Sequence, residues 1–160
     1  MLLPVPVAQL GAIEIAYAGA LHRFERDAAS AWFYHGAHTS SQGAHEHQVD
    51  AAMSERIATA FTGLGRARIE REFPLDRNLE TYGLANPQML VLVFRSKDPQ
   101  PLAQYAVGDI APDTVSRYVM SVGSRVAWTI ANYQIDNLTT LIRAANGEAV
   151  QLQAPAPKTP

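Results

Sequence analysis

The chain reads as an α+β domain built of two similar halves, each an antiparallel β-meander followed by one helix. Three observations lead there. Short stretches alternate apolar and polar residues with a period of two, as at Ile13, Ile15 and Tyr17 around Glu14 and Ala16. Two windows instead show helical spacing, one after Asp50 and one after Asp136. The same signals recur in the same order on either side of a proline-bounded connector, residues 74 to 87. With 160 residues, the chain has the length of one domain.

Taken in order, residues 1 to 7 form an N-terminal extension with prolines at 4 and 6, and the folded body runs from about 8 to 150. Leu10 to Tyr17 is a half-buried strand, and Leu21 to Arg26 a second. The aromatic run Ala31 to Tyr34 is a third, after the turn Asp27 to Ser30. A polar loop then spans His35 to His47. Asp50 is an N-cap, and Met53, Ile57, Ala60, Phe61 and Leu64 share one helix face that ends at Gly63 and Gly65. Ala67 to Phe73 alternates again as a strand. Met89 to Phe94 is continuously apolar and belongs in the middle of the sheet. Strands follow at 102–107, ended by Gly108-Asp109, and at 117–120 and 126–130. A helix after Asp136 carries Leu138, Leu141 and Ile142 on one face and closes at Asn146-Gly147. Residues 151 to 160 hold three prolines, at 155, 157 and 160, and read as a disordered tail.

The repeat covers about 10–73 and 88–146. Arg23-Phe24, Trp32 and Gln48-Val49-Asp50 recur as Arg117-Tyr118, Trp128 and Gln134-Ile135-Asp136. Duplication predicts that the two tryptophans are equivalent and that Asp50 and Asp136 both precede helices. Chance similarity at a few positions is the alternative.

Composition narrows the function. Apolar residues make up 48% and charged residues 18%, an ordinary globular balance. Thirteen Lys and Arg against fifteen Asp and Glu give a net charge of -2, which speaks against nucleic acid as a partner. The absence of cysteine removes disulfides, thiolate metal sites and cysteine nucleophiles. No apolar run approaches the roughly 20 residues of a membrane span.

The one concentration of chemistry-bearing side chains is His35, His38, His45 and His47, with Glu46 between the last two. Neutral imidazoles bind Zn or Cu, so these four are the metal-ligand candidates, weighed against a solvated loop that happens to carry histidines. Ser40, Ser41, Ser116, Ser121 and Ser124 lack the G-x-S-x-G elbow of a hydrolase. Gly63-Leu64-Gly65 lacks phosphate-loop spacing and reads as a helix terminus. Glu70, Glu72, Asp76 and Glu80, interleaved with Arg68, Arg71 and Arg77, read as a solvated edge with surface ion pairs. Trp32 and Trp128 read as core, with an interface as the alternative. No catalytic residue and no cofactor is assigned.

Leu79, Tyr82-Gly83-Leu84 and Pro87 before the apolar strand, then Gly108-Asp109, Pro112, Arg117-Tyr118 and the Trp128 strand running into a helix, resemble the DUF4340 family over about residues 8 to 145. The resemblance implies a bacterial domain with no catalytic residues to carry over. Such domains are often anchored by an N-terminal transmembrane helix, outside the cytoplasm, and some occur beside gliding-motility ABC-transporter components. It therefore implies a periplasmic or periplasm-facing setting and protein partners, a membrane complex among them. A start at Met1 with no upstream anchor implies a cytoplasmic one instead. The expected function is a non-enzymatic interaction or assembly module. The alternatives are a metal-binding protein using the histidine loop, and a small enzyme whose site is assembled from distant residues.

Overall fold

Alternation of apolar residues builds the sheet from its centre outward. The computed structural model describes residues 1–38, 50–76 and 78–147, with backbone alone at 37 and 38. Strands β1 (Leu10–Tyr17), β2 (Ala20–Arg26) and β3 (Trp32–His38) form the first meander. Ala18 and Gly19, both with positive φ, make the two-residue turn between β1 and β2, the turn whose twist suits a hairpin. Helix α1 (Ala51–Gly65) and the short strand β4 (Arg71–Pro74) follow. A connector with a 3-10 turn at Leu79–Tyr82 leads to β5 (Met89–Arg95), β6 (Pro101–Ile110), β7 (Ser116–Ser121), β8 (Val126–Ala131) and α2 (Asn132–Ala145).

All eight described strands join one antiparallel sheet in the order β3-β2-β1-β5-β6-β7-β8-β4. The apolar strand β5 lies in its interior beside β1, as its composition requires. Both helices cover one face. Ile13, Ile15, Phe24, Val91, Val93, Val107, Val119 and Ile130 point from the sheet into Ile57, Phe61, Leu64, Leu138 and Leu141 from the helices. Phe24 and Phe61, both fully buried, meet edge to face at 5.4 Å. On the opposite face, the connector folds back over β6, β7 and β8. There Leu84, Ala106, Met120 and Ala127 form a second, smaller cluster with Phe73 and Tyr82 at its rim.

The α+β class stands; the two-halves repeat is not confirmed. The first half places three strands before its helix and the second places four. Trp32 lies on the outermost strand, whereas Trp128 lies on β8, which has neighbours on both sides. β4 follows the first helix yet pairs with the last strand of the second half, so the halves interlock. Asp50 caps α1, its carboxylate accepting from the Ala52 amide at 2.9 Å. Asp136, by contrast, lies inside α2, because β8 passes into the helix at Asn132 without a loop.

Three further expectations change. Residues 1 to 7 are not a free extension: Leu2 and Leu3 are buried in the core, and the Ala67 carbonyl accepts from the Leu2 amide at 3.2 Å. The strand expected from Ala67 begins only at Arg71. β3 runs on to His38, so His35 and His38 belong to a strand instead of a loop. The expected tail at 151–160 lies outside the described residues.

Candidate functional site

The four histidines divide. His45 and His47 lie outside the described residues. His38 is the last residue of β3, opposite Leu21 of β2. His35 occupies the irregularity in that pairing, between Tyr34 and Gly36, and its Nδ1 stands 3.5 Å from Oε2 of Glu25. Among the described residues, no group of three or more His, Asp or Glu side chains is placed to hold a metal ion. The fifth histidine, His22, is buried on the helix-facing side of β2. Its Nδ1 is 2.8 Å from the Tyr34 hydroxyl, and burial holds its pKa below the ordinary 6.5.

A denser polar arrangement forms where the connector crosses the sheet. Gly108-Asp109, expected to end the strand, is instead an irregularity within β6, and the Tyr82-Gly83-Leu84 turn presses onto it. The Tyr82 ring meets Tyr118 edge to face at 5.0 Å and Phe73 at 5.2 Å. Arg117 and Tyr118 alternate across β7. Tyr118 faces the connector, and Arg117 faces α2 on the other side of the sheet. One dipeptide thus links both layers that pack on the sheet.

Arg117 is only 8% exposed. Its Nε donates to Oδ1 of Asn132 at 2.9 Å. Its Nη1 donates to the Gly108 carbonyl at 3.2 Å and to Oε1 of Gln88 at 3.4 Å. Its Nη2 stands 3.9 Å from Oδ1 of Asp136, beyond hydrogen-bond reach. Oδ2 of Asp136 accepts from Nδ2 of Asn132 at 2.8 Å, one helical turn back. Beside the guanidinium is a pocket of about 230 Å³, walled by Tyr17, Gln88, Asp136, Thr139 and Arg143 over an apolar floor of Met89, Val107 and Ile135. Sequence reasoning placed Arg117 on a strand and assigned it no partner. The available signal was an arginine within an otherwise apolar strand, where burial demands compensation.

A second depression, of about 510 Å³, runs between the helices along Ala58, Thr59, Thr62 and Gly63 of α1 and Tyr133 of α2. Gln134 is buried beneath it. Its Nε2 donates to the Tyr133 hydroxyl at 3.0 Å, while its Oε1 has no hydrogen-bond partner among the described residues and points at Gly63.

Comparison with known proteins yields one match. A family model described as a domain of unknown function, DUF4340, matches residues 41–146. The matched stretch excludes β1 to β3, so it is narrower at the N-terminal side than the resemblance read from the sequence. No curated protein and no solved structure matches the chain. Tyr82-Gly83-Leu84, Gly108-Asp109 and Arg117-Tyr118 all fall within the matched residues and converge on one junction of the fold; the chain belongs to the DUF4340 family.

Proposed function

We propose that this domain is a non-enzymatic interaction or assembly module that takes up an extended segment of a partner protein along the outer side of β3. The observation that supports this reading is the difference between the two edges of the sheet. β4 has four residues, exposes Arg71 and Glu72, and ends in Pro74. Short length, charge and proline are the features that prevent strand addition. β3 has seven residues, Trp32–His38, and contains no Lys, Arg, Asp, Glu or Pro. Among the described residues, no strand pairs with its outer side. A partner strand there would gain main-chain hydrogen bonds, with specificity from alternate side chains.

A photo-crosslinking residue at Phe33, introduced in the producing cell, tests the reading. We expect a cross-linked partner protein, binding that slows amide exchange along β3 but not along β4, and loss of that binding in Phe33→Lys. A partner that protects other elements and tolerates the lysine would overturn it. The setting proposed with it, following what the family resemblance implies, is a periplasm-facing accessory subunit of an envelope complex, checked by fractionation of the producing cell. The metal-binding alternative depends on His45 and His47; no helix among the described residues is long and apolar enough to cross a membrane.

A further inference from the structure

We propose that the pocket beside Arg117 binds a small oxyanion, a carboxylate or phosphate group, held between Nη2 of Arg117 and the guanidinium of Arg143. This site is separate from β3 and does not depend on strand capture.

The argument starts from charge. Arginine stays protonated at any ordinary pH, and a buried guanidinium must find compensating charge or a full set of acceptors. The three groups bonded to Arg117, from Asn132, Gly108 and Gln88, are neutral dipoles. They fix the orientation of the fork without neutralising it. A structural Arg–Asp pair would close to about 2.7–2.9 Å, often through two parallel bonds. Asp136 forms only a long ion pair at 3.9 Å, with its other oxygen engaged by Asn132. Nη2 is thus the one guanidinium nitrogen with no hydrogen bond to the described residues, and it belongs to a side chain already immobilised by its neighbours.

Arg143 adds a second cation. It lies seven residues after Asp136, two turns along α2 and therefore close to the same face. No ion pair engages it among the described residues. Two guanidinium groups and one carboxylate leave the pocket with a positive excess.

Neutral donors complete the site. Because Arg117 can only donate, Gln88 presents Oε1 to it and retains its NH₂ as a donor. Tyr17 also lines the pocket. A volume of about 230 Å³ is smaller than the roughly 300–1,000 Å³ typical of larger organic ligands. It suits an anionic group of a few heavy atoms.

Calorimetric titration of the full chain with inorganic phosphate and, separately, with acetate tests the proposal, with chloride as the ionic-strength control. Saturable binding of either oxyanion is expected. Tighter phosphate binding would identify a phosphate source, and tighter acetate binding a carboxylate such as a chain terminus. Arg143→Gln, at an exposed position that should leave the fold intact, is expected to weaken binding about tenfold. Asp136→Asn is expected to strengthen it, since it removes the competing carboxylate. A merely structural Asp136 would change the melting temperature without raising anion affinity. Absence of saturable binding to both anions, or affinities that neither variant alters, would overturn the proposal.

Discussion

Gly108 and Tyr82 approach so closely that a methyl group on residue 108 would stand 2.2 Å from the Tyr82 carbonyl oxygen. The obstacle is backbone, so it cannot rotate aside as a side chain could. The Gly108 carbonyl also accepts from Arg117, so movement at this point reaches the buried guanidinium. Gly108→Ala should therefore destabilise the domain by about 1–3 kcal/mol, the usual cost of forcing extra volume into a packed site. Urea unfolding checks this. A loss below about 0.5 kcal/mol, within the usual range for a surface change, would mean that the connector can lift away freely.

Gly63 gives the opposite sign. A methyl there would stand 2.9 Å from Oε1 of Gln134, the end of a flexible side chain whose oxygen has no hydrogen bond to the described residues. Alanine exceeds glycine in helix propensity by up to about 1 kcal/mol, the full value applying to a helix interior and less to the last turn of α1, where Gly63 lies. Gly63→Ala should leave stability unchanged or raise it by up to about 1 kcal/mol. A loss above about 2 kcal/mol, comparable to a buried group left unsatisfied, would show that Gln134 is locked in place.

The two tryptophans should differ in the same experiment. Trp32 is 3% exposed, lies edge to face with Phe61 at 5.1 Å, and has the Arg26 guanidinium 4.5 Å over its ring. Trp32→Ala should cost about 3–5 kcal/mol. Trp128 is half-buried, and its Nε1 donates to Glu72 on the neighbouring edge strand at 2.8 Å. Trp128→Ala should cost about half as much, in keeping with its partial burial. Equal losses would argue against this distinction.

His22 predicts how stability responds to acid. Burial disfavours its charged form, so its folded pKa lies below 6.5 while the unfolded chain retains the ordinary value. Below about pH 6.5 the unfolded state binds more protons at this position, and stability falls as the pH falls. Above that pH the contribution is fully present. Urea midpoints compared at pH 7.5 and 5.0 should show a smaller drop for His22→Gln than for the natural sequence. An equal drop would assign the acid sensitivity to other groups.

Zinc should leave the melting temperature unchanged. His35 and His38 belong to β3, and among the described residues no three metal-ligand side chains are placed to hold an ion. A tight site would instead stabilise the fold by about 2.7 kcal/mol at a hundredfold excess over Kd. A zinc-dependent rise that disappears when His45 and His47 become alanine would establish the metal-binding function.

Local chemistry alone determined much of this protein. The alternation of Ile13 and Ile15, the capping carboxylate of Asp50 and the apolar run that became β5 each depend on residues a few positions apart. Such determinants act within one strand or one helical turn, and a sequence displays them directly. Which elements would meet was decided by tertiary structure. Trp32 and Trp128 have similar neighbours in sequence, yet one lies on an edge strand and the other between β7 and β4. Leu2 and Leu3 follow no readable periodicity and are buried because α1 and the sheet leave room for them. Asp136 resembled a helix cap until Asn132, four residues earlier, proved to start the helix and bind its carboxylate. The surroundings of Arg117 come from Gln88 in the connector, Gly108 in β6, and Asn132 and Asp136 in α2. Each of those contacts contributes little alone and forms only when the chain has closed, because burial and pairing energies depend on partners that local sequence does not specify.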